Sequence, residues 1–175
     1  MVKRRPFFLA AAIFAVVGQV AGGNQYRVSA LVPKQTVSAD VELFVKRAIE
    51  DRFGAKNIPD GNLLGTSTRI AIREQTRSGQ KLTAKALPQR EGYEFYLISQ
   101  AVAQAEADKT SKPVHFITVD SAGIAGDTAW INLGVDVVLP RVPKVIKECC
   151  CSGLGQFRQD GERWVFVRWV NLICA

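Results

Sequence analysis

The chain has 175 residues, 47% hydrophobic and 22% charged, with a formal charge of +7. That length carries one domain with a real core, and that balance excludes a disordered chain. Lys3, Arg4 and Arg5 supply three of the surplus charges, leaving +4 for the rest; with no basic stripe among aromatics and no recognisable nucleic-acid module, nucleic acid is not an expected partner.

Residues 1–22 read as a signal peptide. Lys3-Arg4-Arg5 is the basic start, Pro6 to Ala21 is apolar apart from Gln19, and small residues Ala21, Gly22 and Gly23 close it. The run is shorter than the ~20 apolar residues of a membrane-spanning helix. No cysteine follows it to carry a bacterial lipid. The expectation is an exported protein, periplasmic or secreted, that touches a membrane only if this segment stays uncleaved as an anchor. Residues 23–37 read as a flexible segment and residues 38–175 as a single α+β domain.

A first helix is predicted over Ser38 to Phe53, where Val41, Phe44, Val45, Ala48 and Ile49 share one face. Asp40 and Glu42 suit the positive end of its dipole, and Gly54 offers a left-handed stop. Pro59, Gly61 and Gly65 mark a loop over Asn57 to Ser67. Arg69 to Thr76 and Lys81 to Leu87 are predicted as a hairpin around Ser78-Gly79. A second helix is predicted over Gly92 to Asp108, stacking Tyr93, Leu97, Ile98, Ala101, Val102 and Ala105. Four antiparallel strands follow: Val114 to Asp120, Thr128 to Leu139, Val145 to Gln159 and Glu162 to Ile173. A Gly-rich turn at Ser121 to Gly126 separates the first two, and Asp160-Gly161 closes the last hairpin.

Helix, hairpin, helix and four long strands resemble the nuclear-transport-factor-two-like superfamily, a cystatin-like α+β cone. The resemblance covers about residues 38–175. It is strongest over Val114-His115-Phe116-Ile117-Thr118-Val119, Ala129 to Val135, and Gly155 to Val167 with its Asp160-Gly161 turn and Arg163-Trp164. It implies a curved antiparallel sheet of four to six strands on two or three N-terminal helices, with Gly54 to Ser67 supplying the additional helical section. Functionally the superfamily spans isomerase-like, dehydratase and cyclase enzymes, binding modules, transport factors and periplasmic secretion-channel assembly proteins, so the fold does not select a function.

Alternation along the strands assigns Val114, Phe116, Ile131, Leu133, Val135, Val137, Ile146, Leu154, Val165, Val167, Trp169 and Ile173 to a core face. The opposite face receives His115, Ile117, Trp130, Asn132, Asp136, Lys147, Phe157, Trp164, Phe166 and Arg168. Aromatics beside arginine have the composition of a protein interface, so His115, Trp130, Trp164, Phe166 and Arg168 are the candidate interface residues, for a protein partner or a second copy. In the superfamily this outer face often dimerises.

The cysteines are Cys149, Cys150, Cys151 and Cys174. Their spacing matches no zinc site, and outside the cytoplasm thiols pair. With Gln159 facing Glu162, Cys174 falls diagonal to Cys149 on one face, which makes that pair the first choice for a disulfide. A bulge near the triple-cysteine run would bring in Cys150 or Cys151 instead.

Catalytic signals are sparse. His115 is the sole histidine. Asp120 at a strand end, with Tyr93 and Tyr96, forms the carboxylate-plus-tyrosine set that an isomerase pocket would use. No metal cluster, phosphate loop or cofactor motif is present. The sequence favours an exported non-enzymatic binding or interaction domain, with a small apolar ligand in the cone as an additional partner. A pocket enzyme of the isomerase, dehydratase or cyclase type, and a membrane-anchored periplasmic assembly factor of a secretion system, are the alternatives.

Overall fold

The computed structural model describes residues 38–142 and 150–174. Residues 1–22, read from the sequence as a signal peptide, residues 23–37, read as a flexible segment, and Ile146, Lys147 and Cys149 lie outside the described residues.

Helix α1 spans Ala39–Gly54 and starts where the sequence predicts. Ser38 Oγ accepts the Val41 amide at 3.3 Å, satisfying one open donor of the first turn. Phe44, Val45, Ala48 and Ile49 are buried along one side. The helix does not stop as predicted. Gly54 stays helical, and Lys56 takes the left-handed position with φ of 52°. The Asn57 amide donates to the Arg52 carbonyl at 2.9 Å, and the Lys56 amide to the Phe53 carbonyl at 3.1 Å. This is a Schellman stop, normally built on glycine. A lysine there costs about 1 kcal/mol, and a glycine inside the last turn roughly as much again.

Strand β1 is Arg69–Arg73. The predicted turn exists: the Gly79 amide donates to the Thr76 carbonyl and the Thr76 amide to the Gln80 carbonyl. The second arm of the predicted hairpin is not a strand. Only Gln75 and Lys81 bridge, after which Glu42 Oε1 takes the Thr83 amide at 2.7 Å and Ala84–Ala86 winds into a single 3-10 turn. The predicted second helix also divides. Glu94–Ile98 is strand β2, and only Gln100–Thr110 is helix α2, capped by Ser99 Oγ on the Val102 amide.

Strands β3 (Val114–Ala125), β4 (Thr128–Val138), β5 (Cys151–Asp160) and β6 (Arg163–Cys174) form the predicted antiparallel run, but Ser121 to Ala125, predicted as a turn, pair with β4 and extend β3, so that only Gly126 and Asp127 turn the chain. The sheet as a whole is mixed rather than antiparallel. Its order is β2-β1-β3-β4-β5-β6, with β1 parallel to both β2 and β3. The domain is thus α+β, with a six-stranded sheet and two α-helices among the described residues.

The helices lie against different hydrophobic clusters. Ile49 of α1 packs with Ile72, Ile117, Leu133 and Phe157 in the larger one. Ala103 and Ala107 of α2 pack with Ala71, Phe116 and Val138 in the smaller one. Strand β3 is therefore buried on both sides, and neighbours Phe116 and Ile117 are 1% and 0% exposed. A strand buried on both sides has no polar alternation. This is why the predicted facing of β3 against β4 is out of phase: Ile117, expected outside, sits opposite Val135 in the α1 core, while Phe116 sits opposite Asp136 on the α2 side.

Candidate functional site

The β5–β6 hairpin carries most of the predicted interface; at Trp164 to Val167 and at Ile173 its faces are exchanged relative to the sequence prediction, while Arg168 and Trp169 keep their predicted sides. Asp160 pairs with Arg163, so Gly161 and Glu162 form the turn, one step beyond the predicted Asp160-Gly161. Two further register shifts follow, each leaving one extra residue on β6: Val167 between Phe166 and Arg168, and Val170 between Trp169 and Asn171.

Trp164, Phe166 and Trp169 consequently point toward α1. Phe44 lies 5.3 Å from Phe157 and 5.5 Å from Trp164, edge to face. Phe166 packs 5.4 Å from Phe157 and 5.3 Å from Trp169. The Arg52 guanidinium sits 3.8 Å over the Phe166 ring, and Trp169 Nε1 donates to Asn57 Oδ1 at 3.2 Å. Gly155 provides the room; a Cβ there would lie 3.0 Å from the Trp169 ring. Trp164 and Phe166 thus pack beneath the helix rather than standing on the outer face.

The outer face of the hairpin is aliphatic. Val165, Val167, Val170 and Ile173 are each 48–57% exposed. Trp130 is 39% exposed and leans across Gly123 on β3, its strand partner. Arg168, predicted for the interface, is on this face and donates to Gln156 Oε1 at 3.4 Å. β6 is also the last strand of the sheet, so its outer edge has no strand neighbour among the described residues.

The disulfide joins Cys151 to Cys174, not Cys149 to Cys174. The two β6 bulges advance the register until Cys174 sits directly opposite Cys151. The Cys151 amide is further held by the Asp60 carboxylate, so the open end of the hairpin is tied to the loop after α1.

The residues predicted for catalysis are dispersed. Asp120 occupies the bulge of β3 and pairs with Arg77 at 3.6 Å in a small depression beside Asp136 and Ser152. Tyr93 lines a different recess, at the end of α1, with Phe53 and Arg90. Tyr96 and His115 line a third, where β1 and β3 separate; burial holds the Tyr96 hydroxyl above the usual tyrosine range, and Glu106 adds in the same direction. His115 lies on the side of Ile117 rather than on the outer face, and it is half-buried.

No family model, curated protein or solved structure matches this chain.

A cleft of about 900 Å³ between α1 and the β5–β6 turn is lined by Phe44 and Trp164 among others. Its acids are mostly engaged: Glu50 accepts from Arg47 and from the Gln89 amide, and Asp51 pairs with Arg52. Among the described residues no group of three or more His, Cys, Asp or Glu side chains could hold a metal. No described helix is long and apolar enough to cross a membrane.

Proposed function

We propose that this chain is an exported, non-enzymatic interaction domain that associates with a second copy of itself through the outer face and edge of β6. The observation that carries this reading is the row of half-exposed aliphatic side chains at Val165, Val167, Val170 and Ile173 on a strand that is the sheet's edge among the described residues. Edge strands of stable monomers are short, charged or covered. This one has 12 residues, and Arg163 and Arg168 are its only charges.

Its pattern suits self-pairing. Antiparallel pairing of two β6 strands centred on Trp169 sets Val165 against Ile173 of the partner subunit and Arg168 against Val170 of the partner subunit. No like charges then oppose one another. The exposed apolar side chains offer roughly 500 Å² per copy, and the two copies together approach the lower bound of stable interfaces once the strand edges are added.

Export is supported by the basic-then-apolar N-terminus and by the Cys151–Cys174 disulfide. The isomerase reading is weakened because Asp120, Tyr93 and Tyr96 open onto separate recesses. Likeness to the nuclear-transport-factor-two-like cone rests on the final four-stranded run beneath α1, while the parallel β2-β1-β3 portion departs from it.

The test is sedimentation velocity on the exported protein between about 1 and 100 µM, beside Val167→Lys. A dimer that becomes monomeric in Val167→Lys, with unchanged circular dichroism, supports the proposal. A wild type that stays monomeric at the top of the range removes it. Fractionation and N-terminal sequencing test export separately.

A further inference from the structure

The structure points to a second site, independent of β6: we infer that the recess at the C-terminal end of α1 binds a small organic anion with an apolar body, a carboxylate on an aliphatic or aryl group. The recess has a volume of about 330 Å³, at the lower end of the range for ligand pockets. Its floor is Ile58, Leu64 and Ile70, and its wall is Phe53 and Tyr93, stacked edge to face at 4.9 Å. Asn62 and Ser67 add polar groups at the margin.

Two cationic residues line the recess. The Arg90 guanidinium is 6.0 Å from the ring centres of both Phe53 and Tyr93, held by the two rings together. Lys56 lines the other side. Among the described residues neither pairs with a carboxylate. An apolar cavity with two convergent cations and no internal counter-ion matches an amphipathic anion.

The backbone strengthens the case. The helix stop is built the wrong way round for stability: Lys56 holds the left-handed position that glycine fills best, while Gly54 sits where any other residue would strengthen the helix. Both departures serve this recess. A Cβ on Gly54 would push the tip of the Arg90 side chain out of its present position, and the left-handed residue is the one that contributes the second cation. Local strain retained at a cavity rim is expected of a binding site. Attraction to the helix dipole accounts for positive charge near this end. It does not account for a lysine in the strained position, because Ala55, one residue earlier, could carry the same charge without strain.

The test uses the ¹⁵N-labelled exported protein, titrated with sodium octanoate and, as the neutral control, 1-octanol. Octanoate is expected to shift the amide signals of Gly54, Gly61 and Gly65 saturably, and octanol to bind at least tenfold more weakly. Arg90→Gln and Lys56→Gly should each weaken octanoate at least fivefold. Lys56→Gly should at the same time raise the urea midpoint, since it relieves the strained stop. That opposite movement of stability and binding separates a ligand site from a purely structural one, and it remains readable if Arg90→Gln fails to fold. Equal binding of octanoate and octanol, shifts confined to β6, or wild-type octanoate binding by Lys56→Gly would each overturn the inference.

Discussion

Replacing Cys151 by serine tests the observed disulfide against the pairing expected from sequence alone. The bond closes a loop with a sequence separation of 23 residues. The chain-entropy relation for such a loop gives about 3 kcal/mol of stabilisation, through the smaller set of conformations left to the unfolded chain. With a urea slope of about 2 kcal/mol/M for a domain of this size, the midpoint should fall by about 1.5 M. The assay is equilibrium urea unfolding under oxidising conditions, for wild type, Cys151→Ser and Cys149→Ser, each with and without reductant. Cys151→Ser should match reduced wild type, and Cys149→Ser should match the oxidised protein. The reverse ranking would show that Cys149 is the partner of Cys174 and that the two β6 bulges are misplaced. A reductant-insensitive midpoint in all three would refute the loop-closure reasoning itself.

Enlarging Gly155 to valine should lower stability by about 1–3 kcal/mol, because a Cβ already stands 3.0 Å from Trp169 and 3.4 Å from Phe157 and Phe166; thermal melting measures it, and an unchanged Tm would mean that Trp169 is not packed there. Ile117→Ala should cost about 2–5 kcal/mol, since Ile117 is fully buried in the α1 core; a loss below about 1 kcal/mol in urea unfolding would restore it to the outer face. Burial raises the Tyr96 pKa above its ordinary value of 10.0. Its neutral form is therefore favoured by the fold, so its contribution to stability is present below that pH and is lost as the pH rises through the folded value. Absorbance titration at the phenolate band should show one late-ionising tyrosine, absent in Tyr96→Phe. Glu42→Ala removes the buried carboxylate that receives the Thr83 amide at 2.7 Å and should cost about 1–3 kcal/mol, with faster amide exchange at Thr83 as its local signature.

The parts of this fold governed by local rules were legible in the sequence. Ser38, two acids and a 3-4 apolar pattern define α1, and the last four strands follow from alternation and turn residues. The misreadings arise where two explanations share one pattern. Tyr93 to Ile98 places apolar groups at helical spacing, yet it is equally rich in strand formers; Ser99, whose hydroxyl caps α2, was the available signal that the helix begins later. Trp164 to Val167 alternates aromatic with aliphatic, and both sets are apolar, so periodicity finds the strand but cannot choose its inner side. The choice is made by size. Gly153 and Gly155 leave a trough under α1 that admits the large rings, and the smaller valines turn outward. The Cys149 assignment failed for a related reason, since two bulges on β6 carry the end of the strand past the register set by an ideal hairpin. The recess at the end of α1 was not visible at all, because it depends on residues 53–70 meeting Arg90 and Tyr93 through the tertiary fold.

The position of the disulfide has a mechanical consequence. Cys151 and Cys174 are the facing residues at the open end of the β5–β6 hairpin, the end away from its turn. Tension applied to the chain beyond Cys174 passes through sulfur into β5 without loading the hydrogen bonds of β6. The whole of β6 becomes a slack loop shielded from the pull, and the force is carried by the β5 start and its Asp60 anchor. Reduction reverses the situation: the same pull would peel β6 away from its last residue inward, one pair at a time. Under such a load the last strand stays in place only as long as the bond is oxidised.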